Sequence, residues 1–179
     1  MSDLQRWITP IVASVVITVP AHATQYLSVE QAQRLSFPQA TRFVAANIIF
    51  TTTDIAAIEK RSGQKVRAKG EQVWRAEADG RLLGFFIVDY VIGKHEVIDY
   101  SVALALDGRV KHVEILEYRE SYGGEVANHD WLAQFTGKSG DDGLKPDSDI
   151  RIISGATLSS RHITEGVKRV LAIHDLFLR

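Results

Sequence analysis

The sequence predicts an α+β domain: an antiparallel, hairpin-rich sheet with short N-terminal helices and a long C-terminal helix. Three observations carry this reading. The middle of the chain holds successive β-rich runs separated by Asp79-Gly80 and Asp107-Gly108, dipeptides that favour tight hairpin turns. Two short stretches of helical periodicity precede them. From about Leu158 onward, apolar residues recur at the spacing of one helix face.

Ser28 is placed to cap a first helix whose Val29, Ala32 and Leu35 share a face, and Phe37-Pro38 ends it. Phe43 to Phe50 is apolar and partly β-branched and reads as a strand. Thr53-Asp54 starts a second short helix that runs through Ile55 and Ile58 to a stop at Ser62-Gly63. The next strands are Val66 to Ala68, Gln72 to Ala78, Leu82 to Ile92, Val97 to Leu106 and Val110 to Tyr118, with Gly93-Lys94-His95 as a further turn. In Val97 to Leu106, Ile98, Tyr100, Val102, Leu104 and Leu106 fall on one face, which predicts a half-buried antiparallel strand.

Arg119 to Val126 contains Tyr122-Gly123-Gly124 and cannot be regular strand. Asn128 to Gly137 reads as a short helix with Trp131, Leu132 and Phe135 on one side. Lys138 to Asp149 is a polar loop, Ile150 to Ile153 a short strand, and Ser154 to Thr157 a turn. The last helix buries Ile163, Val167, Val170, Leu171, His174 and Leu178, with Glu165 placed to pair with Lys168 and Arg169 on the opposite side.

The 179 residues fit one domain with enough chain for a proper core. Lys and Arg number 21 against 22 Asp and Glu, so no basic excess points to a nucleic-acid partner. Cysteine is absent, which removes disulfides, iron–sulfur clusters, thiolate zinc sites and a haem attached through CxxCH. Redox chemistry in this chain therefore needs a cofactor held by oxygen, nitrogen or packing contacts.

Residues 1–23 read as an export signal. Arg6 precedes an apolar run from Ile8 to Val19, and Ala21-His22-Ala23 forms an A-x-A cleavage signature. The run is shorter than the roughly 20 apolar residues of a membrane span. Cleavage after Ala23 leaves a mature chain of 24–179 that works in the periplasm; without cleavage the segment is a membrane anchor.

The stretch richest in chemistry is Ser154-Gly155-Ala156-Thr157-Leu158-Ser159-Ser160. It joins a strand to a helix start, where free backbone N–H groups and the positive end of the helix dipole gather. Gly155 and Ala156 allow close approach of a ligand, and Thr157, Ser159 and Ser160 add hydroxyls, so the stretch has the makings of a phosphate site. Simple helix capping by Ser or Thr accounts for the same residues. Neither a P-loop nor a GxGxxG turn is present.

These residues resemble the flavinylation motif of the FMN-binding domain family, which includes the FMN-carrying subunits of sodium-translocating NADH:quinone reductase and of the Rnf complex. The family pattern is Asp, two residues, Ser or Thr, Gly-Ala-Thr, one residue, then two Ser or Thr. Ser154, Gly155, Ala156, Thr157, Ser159 and Ser160 match it. The resemblance implies FMN esterified through its phosphate to Thr157, attached by a separate FAD-dependent flavin transferase. It also implies electron exchange with a membrane redox partner such as a quinone, haem or ferric-reductase-like protein. The pattern's Asp falls at Arg151. Asp149, two residues earlier, is a substitute if this segment is a strand, and an Arg at 151 can itself meet a phosphate. The run Glu120 to Glu125 loosely resembles the family's loop before the flavin; Tyr122, Gly123, Gly124, Glu125 and Trp131 are then candidate contacts of the flavin ring. Core packing accounts equally for both aromatics.

The remaining candidates are weaker. The histidines show no metal-ligand spacing, and His174 lies on the buried stripe. Asp141, Asp142, Asp147 and Asp149 do not follow an EF-hand order. Two other functions fit the same sequence: a small flavin-dependent reductase of a soluble acceptor, and a ligand- or partner-binding module without flavin, for which Arg151 is the sequence support.

Overall fold

The computed structural model describes residues 23–179. Residues 1–22 of the expected export signal lie outside the described residues. The chain forms a seven-stranded antiparallel sheet of β1 (Thr24–Gln25), β2 (Arg42–Ala45), β3 (Ile48–Ile49), β4 (Gly70–Ala78), β5 (Arg81–Ile92), β6 (Val97–Ala105) and β7 (Val110–Tyr118). Their spatial order is β1-β7-β6-β5-β4-β2, with β3 also paired to β4. The helices are α1 (Val29–Ser36), α2 (Thr52–Ser62), α3 (His129–Leu132) and α4 (Thr157–Phe177), with short 3-10 turns on either side of α3. The α+β architecture, the hairpins and the long last helix are as the sequence predicts.

Local chemistry sets the element ends. Ser28 caps α1 with a reciprocal box to Gln31. Thr51, two residues earlier than expected, caps α2 and pairs with Asp54 in the same way, because the box needs its acid at the third helical position. Gly63 ends α2 in the left-handed conformation. Asp79 and Gly80 both take positive φ in the β4–β5 hairpin, as a two-residue primed turn requires.

The expected strand from Phe43 to Phe50 is broken into β2 and β3. At the break, Asn47 spends its side-chain oxygen on the backbone N–H of Val73, so both halves still edge β4. Val66 to Ala68 and Ile150 to Ile153 are not strands; the latter retains a single bridge between Pro146 and Ile150. The expected helix from Asn128 is one turn of α3, capped by Asn128, followed by a 3-10 turn at Ala133–Phe135.

The sheet is covered on both faces. Ile98, Tyr100, Val102 and Leu104 of β6 pack with Ile163, Val167, Val170 and Leu171 of α4 in the main core. The opposite face buries Ala76, Phe86, Ala103 and Leu116 beneath Ala32 and Phe37 of the α1 segment. This corrects the half-buried expectation for β6, a central strand that a helix covers on each side; Leu106 lies past its end and is exposed. Helix α2 packs on α4 through Ile58, Ala172, Ile173 and the Phe50–Phe177 ring pair.

Arg169 does not join Glu165 on an outer face of α4. It turns inward to pair with buried Asp89, which also accepts a hydrogen bond from the Tyr100 hydroxyl. Burial opposes the guanidinium charge, but Asp89 and Tyr100 beside it hold Arg169 firmly protonated. Glu71, 8% exposed, completes the cluster; desolvation and the neighbouring Asp89 push its carboxyl up to about 9.

Candidate functional site

The Ser154–Thr157 turn delivers the chain onto α4. Gly155 adopts φ +88°, a conformation that favours glycine, with open space where a Cβ would stand. Ala156 is the N-cap and provides no side-chain hydrogen bond, and no acidic residue lies in the first turn. The hydroxyls nearby do not cap the helix. Ser160 is buried and donates back to the Ala156 carbonyl at 2.8 Å, bracing the turn from within. Ser159 is buried and bonded to Tyr118, while Ser154 and Thr157 are exposed. Capping therefore does not account for this turn. The first N–H groups of a helix have no intrahelical partner, and here no side chain satisfies them.

Beside the turn lies a cavity of about 550 Å³. Its walls are the β5–β6 turn (Lys94, His95 and Glu96), the segment after β7 (Glu120, Ser121 and Tyr122), and Gly155 to Ser159. The volume lies in the usual range of small-molecule sites.

Two internal ties hold the walls. Glu120 accepts hydrogen bonds from the backbone N–H groups of His95 and Glu96. Burial alone would raise its carboxyl, but the N–H groups of Lys94 to Glu96 outweigh that and hold it below the usual carboxylate range. Tyr118 supplies the second tie. Its hydroxyl donates to the Tyr122 carbonyl at 2.6 Å and meets the Ser159 hydroxyl at 3.1 Å. Gly123 sits under this contact at φ +89°; a Cβ there would lie 2.7 Å from the Tyr118 hydroxyl and 3.1 Å from the Ala156 Cβ.

Of the residues singled out in the sequence, Gly155, Ala156, Thr157, Leu158, Ser159 and Tyr122 come together around this cavity. Tyr122 is 87% exposed, so its ring is free to fold over a ligand. Gly123 and Gly124 pack behind the wall, against Ala156 and Tyr26. Trp131 is 6% exposed, stacks edge-on to Phe135 and donates to the Arg151 carbonyl at 2.7 Å. With Glu125 it lines a separate cavity of about 350 Å³ on the Arg151–Ile153 side.

Arg151 also faces that second cavity, held by the Gln134 side-chain oxygen. Asp149 does not take the place of the motif's acid: this stretch is not a strand, and the carboxylate accepts the Lys145 N–H within its own loop. Asp141 pairs with Arg61 and Asp142 with Ser139. His174 is buried as expected, but neither ring nitrogen finds a hydrogen-bond partner among the described residues; Nδ1 lies 3.9 Å from the Asp175 carboxylate, and burial outweighs that charge and lowers the pKa.

Sequence reasoning missed Lys94, His95, Glu96 and Tyr118. Lys94 and His95 read only as a turn, Glu96 falls between that turn and the next strand, and Tyr118 reads only as the end of a strand. Their roles depend on a contact between segments more than 20 residues apart in the chain.

An uncapped helix start reached through a glycine turn and opening on a cavity is an arrangement suited to an anion or a phosphate. Residues 93–172 match the family model described as FMN-binding domain. The match contains every wall of the 550 Å³ cavity and begins at the β5–β6 turn. The chain is 23% identical over 148 residues to one of the subunits of the Na(+)-translocating ferredoxin:NAD(+) oxidoreductase complex of Acetobacterium woodii, an alignment covering 77% of this chain and 70% of the relative. Its fold resembles the crystal structure of Shewanella oneidensis NqrC, with a TM-score of 0.52 at 20% identity over 75% of this chain and 80% of that one.

Proposed function

We propose that this chain is an exported electron-carrying flavoprotein that holds FMN through a phosphoester on Thr157. One observation carries the reading: Thr157 is exposed as the first residue of an uncapped helix and borders a cavity of about 550 Å³. The residues fit the group. The free N–H groups in the first turn of α4 suit the phosphate, and the positive end of the helix favours its charge. Gly155 permits close approach, and Ser154 lies exposed beside it. Tyr122 stands at the mouth as a cover for a planar ring.

Bound FMN supplies one- and two-electron transfer, while the protein sets its environment and access. Attachment is a phosphoryl transfer. The Thr157 oxygen bonds to the FMN phosphorus of FAD, the pyrophosphate bond breaks, AMP leaves and the hydroxyl proton is released, with a flavin transferase as catalyst. A covalent tether suits a chain that leaves the cytoplasm, where a dissociable cofactor would be lost by dilution. The family match supports FMN as the ligand. Similarity to a component of a sodium-translocating complex supports a membrane redox partner. Among the described residues no helix is long and apolar enough to cross a membrane.

Intact-mass measurement of protein made with the transferase tests the reading. The expected gain is one FMN less a water, absent in Thr157→Ala. Flavin retained by denatured Thr157→Ala would overturn it. Mature protein from the periplasmic fraction should begin at Thr24; an intact N-terminus in a membrane fraction would reject cleavage. Steady turnover of a soluble acceptor by the purified protein alone would move the reading from carrier to stand-alone reductase.

A further inference from the structure

A second cavity, of about 450 Å³, adjoins the first and shares Lys94 with it. The two lie along one face of α4: Leu158 lines the first, and His162, Glu165 and Arg169 line the second. The chain as a whole has a formal net charge of −1, yet this wall gathers Lys65, Arg67, Lys94, His162 and Arg169 against the single carboxylate of Glu165. Two of these charges are already answered, Lys65 by Glu59 at 2.9 Å and Arg169 by Asp89. Arg67 and Lys94 are exposed and have no ion-pair partner among the described residues.

His162 is anchored rather than free. Its Nδ1 lies 2.6 Å from the Ile92 carbonyl and 3.2 Å from that of Gly93. Both partners can only accept, so Nδ1 carries the hydrogen and Nε2 is left for another partner. Val91 and Ile92 give the same cavity an apolar side.

We infer that this cavity binds a phosphoryl group carried on a small organic body. Arg67 and Lys94 are the two cations that meet the phosphoryl oxygens, and the Val91–Ile92 side takes the organic part. A guanidinium offers paired donors to a phosphate and an ammonium adds a point charge, so the pair suits a doubly charged oxyanion. The volume far exceeds that of phosphate alone, which is why the ligand carries a body. Glu165 and the carbonyl end of α2 at Gly63 oppose the charge, so the carboxylate weakens binding rather than supplying a contact. Lys94 lines both cavities, but neither Arg67 nor His162 lines the first, so the Arg67 variant tests this site apart from the flavin reading.

The phosphoryl group has two sources, a soluble phosphomonoester or an anionic phospholipid headgroup, and the test has an arm for each. The full-length protein is titrated calorimetrically with glycerol 3-phosphate at low ionic strength, and sedimented with phosphatidylglycerol vesicles against phosphatidylcholine vesicles. Saturable binding in the first arm assigns a soluble ligand; selective sedimentation alone assigns the lipid headgroup. In either case Arg67→Ala and Lys94→Ala should each weaken binding about tenfold and Glu165→Gln should strengthen it severalfold. All three positions lie on the surface of the cavity, and circular dichroism checks that the variants remain folded. No binding in either arm overturns the assignment. So does binding that is indifferent to Arg67 and Lys94.

Discussion

Tyr118, at the end of β7, accepts a hydrogen bond from Ser159 in the first turn of α4, at 3.1 Å. The direction is fixed because the proton of Tyr118 is committed to the Tyr122 carbonyl at 2.6 Å, and a carbonyl can only accept. One buried hydroxyl thus joins two walls of the 550 Å³ cavity.

Removing that hydroxyl should loosen both walls. Tyr118→Phe leaves the Ser159 hydroxyl without its acceptor in a buried place, and urea unfolding should register a loss of about 1–3 kcal/mol. Ser159→Ala should cost less, because Tyr118 keeps its bond to Tyr122. A double-mutant cycle should give a nonadditive pair; additive losses would mean the contact is not formed in solution.

The uncapped start of α4 makes a further prediction. Ala156→Asp places a capping carboxylate where the site presents free N–H groups. Ala156 is 3% exposed and packed in the main core, so burying the carboxylate should offset the about 0.5–2 kcal/mol that an N-cap contributes, and urea unfolding of flavin-free protein should show no net gain. Flavin attachment, followed by intact mass, should fall sharply because the carboxylate competes with the phosphate. Unchanged attachment would argue against the helix terminus as the phosphate site.

Trp131 does not line the 550 Å³ cavity proposed for the flavin, so Trp131→Phe should act on stability. It deletes the indole N–H that satisfies the Arg151 carbonyl, a loss of about 1–3 kcal/mol by urea unfolding. The midpoint potential and flavin fluorescence of the loaded protein should not change. A shifted potential would bring Trp131 into contact with the ring.

Glu71 should make stability fall as pH rises. Its folded pKa, pushed up to about 9 by burial and Asp89, exceeds the unfolded value of 4.5. The folded state therefore holds a proton that the unfolded state has released, and stability declines from pH 4.5 toward 9. At pH 7 the cost reaches up to about 3 kcal/mol. Glu71→Gln should remove this slope in denaturant titrations taken at several pH values; an unchanged slope would place the titration elsewhere.

His174 should act in the other direction. Burial lowers its folded pKa beneath the ordinary 6.5, so the unfolded state takes up the proton first as pH falls. Stability is unaffected above pH 6.5 and declines below it. His174→Leu should flatten this acid limb in thermal unfolding measured between pH 4 and 7, leaving the Glu71 limb in place.

The sequence alone determined the elements whose signals are local. The hairpins follow from Asp79-Gly80 and Asp107-Gly108, whose conformations the neighbouring strands cannot impose. The long face of α4 follows from spacing along one helix, and the Gly155-Ala156-Thr157 turn from residue types within one short stretch. Tertiary structure decided what distant segments share. Only packing shows that α1 covers the second face of β6, or that Arg169 turns inward to Asp89, since Arg on an amphipathic helix is as readily solvated. Only the approach of β7 to α4 turns Tyr118 from a strand end into a brace. The same approach sets the Lys94–Glu96 turn across from Thr157, and it leaves Trp131 behind the wall. Capping and ligand binding use the same small hydroxyl residues, so the choice between them rests on where each hydroxyl points. Backbone paths from several segments fix that direction, and no window of sequence contains them.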